Sequence, residues 1–508
     1  MRRLTTQQRA PLDHSLHRNL TVIRKAIGTS GDIIIREFQA GRSGEVPAAI
    51  IYADGLADAN AIQSMVLRPL MLADMPLGIG QIPLASRAKE HIVYIGDVEE
   101  ITDLESLYKA FLTGNSVLLF EGDQTALSLD TKGWKERSVD EPSTQNVIRG
   151  PKEAFTETLK TNIGLLRRRI KSTTMQVEYK TVGRLTQTDL AIVYMDGIVA
   201  DEVLNEVRHR LSLIDIDAIF ESGNIEEFIQ EEQLTYFPTV FNTERPDVVA
   251  AGLVEGRVAI IVDGTPFVLL VPALFIQFLQ SPDDYYQRAD IGSILRTLRL
   301  VALFIAMLAP AAFIAITSFH QEMLPSSLLI SIAASRSGVP FPVFVEALIM
   351  EITFELLREA GLRMPKAIGQ AISIVGALVL GEAAVQAGLV SPGMVIIVSL
   401  TAITTFVIPY SSLAVPIRLL RFSLMGLAAM FGLYGIFVGL TYVILHLNTL
   451  RSFGVPYLKP YAPFIMADQK DGVWFRAPIW KMLKRPLSLV NRNQTRQRPP
   501  VPKPSGKE

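Results

Sequence analysis

The chain has 508 residues, and its 49 Lys and Arg against 50 Asp and Glu give a formal net charge of -1, so nothing global favours nucleic acid or another polyanion. It contains no cysteine, which excludes disulfides, thiolate metal sites and a cysteine nucleophile. At roughly 150 residues per domain the length predicts about three units. Composition divides them: charges run throughout the part up to about residue 290 and become rare from 297 to 447, where apolar runs reach membrane-spanning length.

The N-terminal arm, 1–29, is basic but has no apolar segment followed by a small-residue cleavage site, so it does not read as a cleaved secretory signal. The soluble half is therefore expected in the cytoplasm. Two α/β subdomains follow, at 30–135 and 185–290, and they read as copies of one another. "AIIYADGLADANAIQ" (49–63) and "AIVYMDGIVADEVLN" (191–205) share an apolar run ending in Tyr-x-Asp-Gly. "VLLFEGDQTALSL" (117–129) and "VAIIVDGTPFVLLV" (258–271) each place a turn between two β-rich runs, and their offset is nearly that of the first pair. Each copy predicts strand, helix, further helix and hairpin. Between them lies a helical connector, 136–184, in which "GPKEAFTETLKTNIGLLRRRIKS" (150–172) is expected as a helix with Pro151 in its first turn. Arg167, Arg168 and Arg169 stand toward its end, where the macrodipole favours cations.

No phosphate-binding loop, dinucleotide fingerprint or His-Glu-x-x-His occurs. The six histidines are scattered, and His14 and His17 alone are too few for a metal site. The Asp-Gly pairs at 54/55, 196/197 and 263/264 read as turn chemistry. No catalytic residue, cofactor or metal site is predicted.

A polytopic α-helical membrane domain is expected over 291–447. Its spans are Leu300–Phe319, Ala367–Val390 with Glu382 inside it, Gly393–Ile417 and Phe422–Leu445, each able to cross a core of about 30 Å. Pro310, Pro409 and Pro416 are expected to kink or end helices. Gly432, Gly435 and Gly439 include a Gly-x-x-x-Gly pair that permits close helix approach. Arg288, Arg296 and Arg299 before the first span and the basic tail after the last place both ends in the cytoplasm, which requires an even number of crossings. "LPSSLLISIAASRSGVPFP" (324–342) is too short to span and predicts a broken or re-entrant element. The C-terminal basic tail, 448–508, is expected to be disordered from about 486 and to lie near lipid headgroups.

"FPVFVEALIMEITFELLREAGLRMPKAIGQ" (341–370) sets acids in this apolar region. A helix from Pro342 to Gly361 puts Glu351, Glu355 and Arg358 along one side, with Glu346 about 140° from Glu351. A carboxylate facing lipid costs several kcal/mol, so three arrangements compete. The helix lies at the membrane surface with Glu355 and Glu359 paired to Arg358 and Arg363; or Glu346 and Glu351 are buried partners between helices; or they face an aqueous conduit, where carboxylates from several subunits attract cations. Glu382 with Gln370 and Gln386 forms a second polar set, whose plain reading is an interhelical hydrogen bond.

The order of "EPSTQNVIRGP" (141–151), "ESGNIEEFI" (221–229), "FPTVFNTERPDVVAAGLVEGRVAIIVDGTPFVLLVP" (237–272), "SPDDYYQR" (281–288), "SFHQEMLP" (318–325), "GVPFPVFVEALIMEITFELLREAGLRMP" (338–365), "SIVGALVLGEAAVQAGLVSP" (373–392), "RLLRF" (418–422) and "LRSFGVPYL" (450–458) resembles the A subunit of the GerA-type spore germinant receptors, over nearly the whole chain. The resemblance implies an integral protein of the spore inner membrane with a cytoplasmic N-terminal domain. It implies a transporter-like B subunit that senses nutrient and a lipoprotein C subunit as partners, and an A subunit that oligomerises to form or gate a cation path. It favours the conduit arrangement of Glu346 and Glu351, and it marks Asn242, Thr243, Glu244, Arg245, Pro246 and Asp247 as a family motif or interface. It implies no catalytic residues. In the family pattern around 381–388 a glutamine precedes a glutamate by four residues, whereas here Glu382 precedes Gln386, which moves the charge by one helical turn. The sporulation-stage paralogue SpoVAF is built alike, so an accessory channel component competes with the receptor subunit. A non-conducting scaffold is a further reading, a secondary transporter another, resting on the broken segment, and a membrane-bound enzyme is disfavoured by the missing motifs.

Overall fold

The duplication signalled by the Asp-Gly motifs extends to every element of the first half. The structure, a computed structural model, describes residues 10–42, 44, 46–73, 83–133, 142, 145, 149–232, 234–363, 381–487, 489 and 493–497. These fall into two compact units, one drawn from 1–230, 240–272 and 483–500, the other from 231–239 and 273–482.

In the first repeat, α1 (Leu16–Ile27), β1 (Ile33–Ala40) and β2 (Val46–Ala53) lead to a helical run, Ala59–Ala61, Ile62–Leu67 and Arg68–Leu72. Then come α2 (Leu84–His91), β3 (Val98–Ile101), α3 (Leu104–Leu112), β4 (Ser116–Phe120) and β5 (Ala126–Leu129). The second repeat matches it with α4 (Leu159–Arg169), β6 (Met175–Val182), β7 (Thr188–Met195), α5 (Asp201–Ser212), α6 (Ser222–Ile229), β8 (Phe241–Thr243), α7 (Pro246–Val254), β9 (Val258–Val262) and β10 (Val268–Val271). The two antiparallel sheets have one topology, β1-β2-β4-β5-β3 and β6-β7-β9-β10-β8. β4 and β9 are buried at every position. Helices cover both faces of the first sheet, so alternate residues feed two cores: Ala49 and Ile51 join α1 and α3, while Ala48 and Ile50 join α2 and the helical run before it.

The helix expected over 150–172 begins only at Leu159, beyond Pro151. It stands in the second repeat where α1 stands in the first. Asn19 and Asn162 show the equivalence: each side chain accepts from the backbone N–H six residues earlier (Asp13, 2.9 Å; Thr156, 2.7 Å) and donates to the carbonyl of that residue. α4 also wedges the repeats together. Gly55 has φ 84°, and a Cβ there would lie 2.6 Å from the Lys160 carbonyl oxygen, so the turn after β2 needs glycine to meet α4. Two turns on, fully buried Arg167 grips Asp32 with Nε and Nη2 at 2.6 and 2.9 Å and also reaches Ser30 and the Met175 carbonyl.

The second sheet ends at Val271, and residues 273–290 pack with the helical unit. Beyond 486, the described residues 493–497 are held against Arg485. The Arg485 guanidinium donates to the carbonyls of Val254, Asn493 and Thr495, so a strip of polar chain is fixed on α7.

The helical unit contains α8 (Ala289–Phe319), α9 (Ser326–Arg336), α10 (Val343–Arg363), α11 (Pro392–Val407) and α12 (Ser411–Thr449). By length and composition α8 and α12 can cross a membrane, and α11 is a shorter apolar helix. Most of the expected span Ala367–Val390 lies outside the described residues. Two other spans differ from expectation. Gly393–Ile417 is broken between Val407 and Ser411, where Pro409 removes a backbone donor. Phe422–Leu445 is folded in two at Gly432, whose φ of 61° and ψ of -140° are not helical. Past that point α12 doubles back, so Gly435 meets the Leu427 carbonyl and Gly439 meets Leu424 and Leu427. The Gly-x-x-x-Gly pair thus serves close approach between two limbs of one helix. Phe319 and His320 at the end of α8 lie against Gly432, while Phe278 packs on Tyr410 at the start of α12. α8 and the two limbs therefore share a near end and a far end.

Candidate functional site

α10 packs its acids against the first limb of α12. Glu351, fully buried, lies 3.0 Å from Nη1 of Arg421, itself 1% exposed. Glu355 accepts from Arg418 at 2.8 Å, from Arg421 at 3.4 Å and from Arg358. The pairing of 351 with 421 and 355 with 418 makes α10 antiparallel to that limb. Arg421 lies about 15 Å from the limb's start and about as far from Gly432. Glu346, also fully buried, accepts from the backbone N–H of Ser391 at 2.7 Å and from its hydroxyl, and its other oxygen is 3.6 Å from Nε of Arg336. Ser391 caps α11, so Glu346 joins the end of α9, the start of α10 and the start of α11.

The helix thus carries two kinds of ionic contact. Glu355–Arg358 and Glu359–Arg363 pair along its outer turns, while Glu346 and Glu351 bridge helices inside one chain rather than meeting an open face. Glu382 accepts from Gln386, four residues on, at 3.1 Å on an exposed surface; Gln370 lies outside the described residues. The missed members are Arg336, Ser391, Arg418 and Arg421. A spacing signal existed for two of them: Arg418 and Arg421, three apart in an apolar run, complement Glu351 and Glu355, four apart in another.

A second ionic network, at the near end, was not foreseen. Buried Asp284 accepts from Arg296 Nε at 3.0 Å and Arg299 Nη1 at 2.8 Å, and its backbone carbonyl accepts from Arg476. Arg296 continues to Asp471 at 2.7 Å, and Tyr285 donates to Asp471 at 2.7 Å. The guanidiniums of Arg296 and Arg476 stand over the Tyr285 ring at 5.3 and 5.5 Å. The network fastens the start of α8 to residues 471–476. Arg296 and Arg299 are therefore internal, not loop charges.

The motif 242–247 closes on its own chain. Thr243 donates to the Gln145 side chain at 2.6 Å, and Arg245 pairs with Asp247 at 2.7 Å while donating to the carbonyls of Gln145 and Pro151. The Glu244 carbonyl accepts from Phe155, and Pro246 opens α7. Asn242 donates to Glu226 at 3.3 Å. Burial pushes the Glu226 carboxyl above the usual range. A carboxyl raised in the folded state contributes stability below its unfolded value and loses it as pH rises through the folded one. Glu226→Gln is thus expected to raise the melting temperature at pH 7 and to change it little at pH 4, as pH-dependent thermal unfolding would reveal.

Among the described residues no group of three or more His, Cys, Asp or Glu is placed to hold a metal ion. The chain matches the family described as Bacillus/Clostridium GerA spore germination protein over residues 21–488. It is similar to spore germination protein KA of Bacillus subtilis (strain 168), 48% identical with 95% of this chain and 88% of that protein covered. It is also similar to the "uncharacterized membrane protein YfkQ" of the same organism, 42% identical over 96% of this chain and 93% of the other. Among solved structures, the N-terminal domain of the A subunit of the Bacillus megaterium spore germinant receptor GerK3 matches with TM-score 0.43 and 40% identity, over 53% of this chain and 99% of that one. The chain belongs to the GerA family of spore germination proteins.

Proposed function

We propose that this chain is the A subunit of a nutrient-responsive germinant receptor in the spore inner membrane, with its two-repeat domain cytoplasmic. In this reading it acts with a transporter-like B subunit and a lipoprotein C subunit, and it oligomerises to form or gate a cation path. Family membership supports the receptor role. The observation that carries the gating part is the Glu351–Arg421–Glu355 network. Ionised groups midway along a membrane limb are costly, and they mark ion paths or moving elements. Both buried carboxylates have partners within the chain, which favours a latch between α10 and α12 over a ring of bare pore acids.

The test is Glu351→Gln in germinating spores. Weakening the latch is expected to alter the onset of potassium release by about tenfold, the effect of roughly 1.4 kcal/mol on one state, with receptor assembly retained. Unchanged release would remove the network from gating. The fully internal pairing of Glu346 and Glu351 also suits a non-conducting scaffold. Purified chain in liposomes separates the two, since a scaffold alone leaves a cation gradient intact.

A further inference from the structure

The segment after α12 covers the near end of the helical unit with aromatic groups turned outward. Trp474, Phe475 and Trp480 are 55%, 53% and 38% exposed, although the segment is fastened beneath them through Arg476 and Asp471. Its height along α8 is fixed: Thr297 donates to the Trp474 carbonyl at 3.3 Å, and the Arg476 N–H donates to Ser293 at 3.1 Å. Thr297 stands one turn before Leu300, the first residue of the uncharged run. From Thr297 to Phe319 the helix rises about 33 Å, close to the roughly 30 Å of a hydrocarbon core. At the far end Phe319, Phe431 and Tyr434 are exposed beside Gly432. Outward aromatic groups thus stand at both ends, about one bilayer apart as interfacial belts are, with Phe304, Phe437 and Tyr442 exposed between them. Lys470 and Lys481 are exposed on the same segment, and the Lys481 ammonium lies 5.0 Å from the Trp480 ring centroid.

We propose that residues 470–481 form a collar in the headgroup layer of the leaflet at the near end. Trp474, Phe475 and Trp480 sit at the glycerol level, and Lys470 and Lys481 face anionic lipid phosphates. The occupant of this surface is lipid because it continues the exposed apolar side of α8, where Ile294, Leu298 and Val301 lie a turn or less from Thr297. The inference rests on the reading that α8 crosses the membrane.

The test uses the full chain carrying Trp134→Phe, which leaves Trp474 and Trp480 as the emitting groups of the three tryptophans. It is reconstituted in phosphatidylcholine–phosphatidylglycerol vesicles whose acyl chains are brominated either near the glycerol or near the methyl end. Flotation after an alkaline wash first reports insertion; failure there overturns the membrane-spanning reading itself. For inserted protein, quenching by the shallow label at least about twofold stronger than by the deep label is expected for rings at the interface. Equal or stronger deep quenching overturns the proposal. So does absence of quenching by either label, whether the rings are open to aqueous iodide or shielded by a second copy. Lys470→Glu with Lys481→Glu is expected to reduce the shallow quenching in phosphatidylglycerol-containing vesicles and to leave it unchanged in pure phosphatidylcholine. A reduction equal in both would overturn the assignment of those lysines to anionic lipid.

Discussion

Asp284→Leu is expected to prevent the helical unit from folding. Asp284 has no exposed surface, and its carboxylate takes up Arg296 and Arg299 together. Leucine would leave two guanidiniums facing each other inside protein, and breaking a buried pair in this way costs about 3–5 kcal/mol. Asp471 still holds Arg296, but Arg299 loses its carboxylate outright. Asp284→Asn keeps the shape and some hydrogen bonding, so it should lose less. Thermal unfolding of the detergent-solubilised chain measures both: the leucine variant should be recovered aggregated or melt far lower, with asparagine between. Near-native melting of Asp284→Leu would mean that water or other groups reach the arginines.

Arg421→Met should be nearly as damaging, by about 3–5 kcal/mol, because it strands the Glu351 carboxylate at mid-limb. Here a rescue is expected. Replacing a buried pair by apolar residues of similar size is often neutral, so Glu351→Leu added to Arg421→Met should recover most of the melting temperature. The double-mutant cycle then isolates the pair's coupling. Glu355 complicates it, since Arg421 also lies 3.4 Å from that carboxylate while Arg418 and Arg358 remain to hold it. Thermal melts of the two single variants and the double variant decide the matter: additive losses would show that Glu351 and Arg421 do not depend on each other.

What could be read from the chain differs sharply between its halves. β2 and β7 were legible because a buried apolar run ends in Asp-Gly, and Gly55 and Gly197 adopt the positive φ such turns require. β1 was not, because IIIREFQA alternates poorly on the edge of its sheet, and only pairing with β2 settles its form. α4 read as a connector because it lies between the two repeated motif pairs, whereas Arg167 is buried against Asp32, 135 positions away in the chain. The repeated Leu-x-x-Asn of α1 and α4 was the local clue to their equivalence. In the membrane half, hydropathy sums apolar character and is blind to a reversal inside an uncharged run. α12 therefore read as a single span, and its glycines carried the only hint of a fold. Acids on α10 were conspicuous for their surroundings, but their partners lie far along the chain at Ser391, Arg418 and Arg421, and of these only the two arginines left a trace in their spacing.

The one-residue turn at Gly432 leaves α12 without slack. A loop would absorb an extra residue, but here an insertion between Leu424 and Gly439 would turn one limb by about 100° against the other. It would carry Gly435 and Gly439 away from the leucines they were shaped to admit. Lengthening any one of the three segments alone would break their shared ends, so a longer bundle would demand matched whole-turn extensions of both limbs and of α8 in the same step.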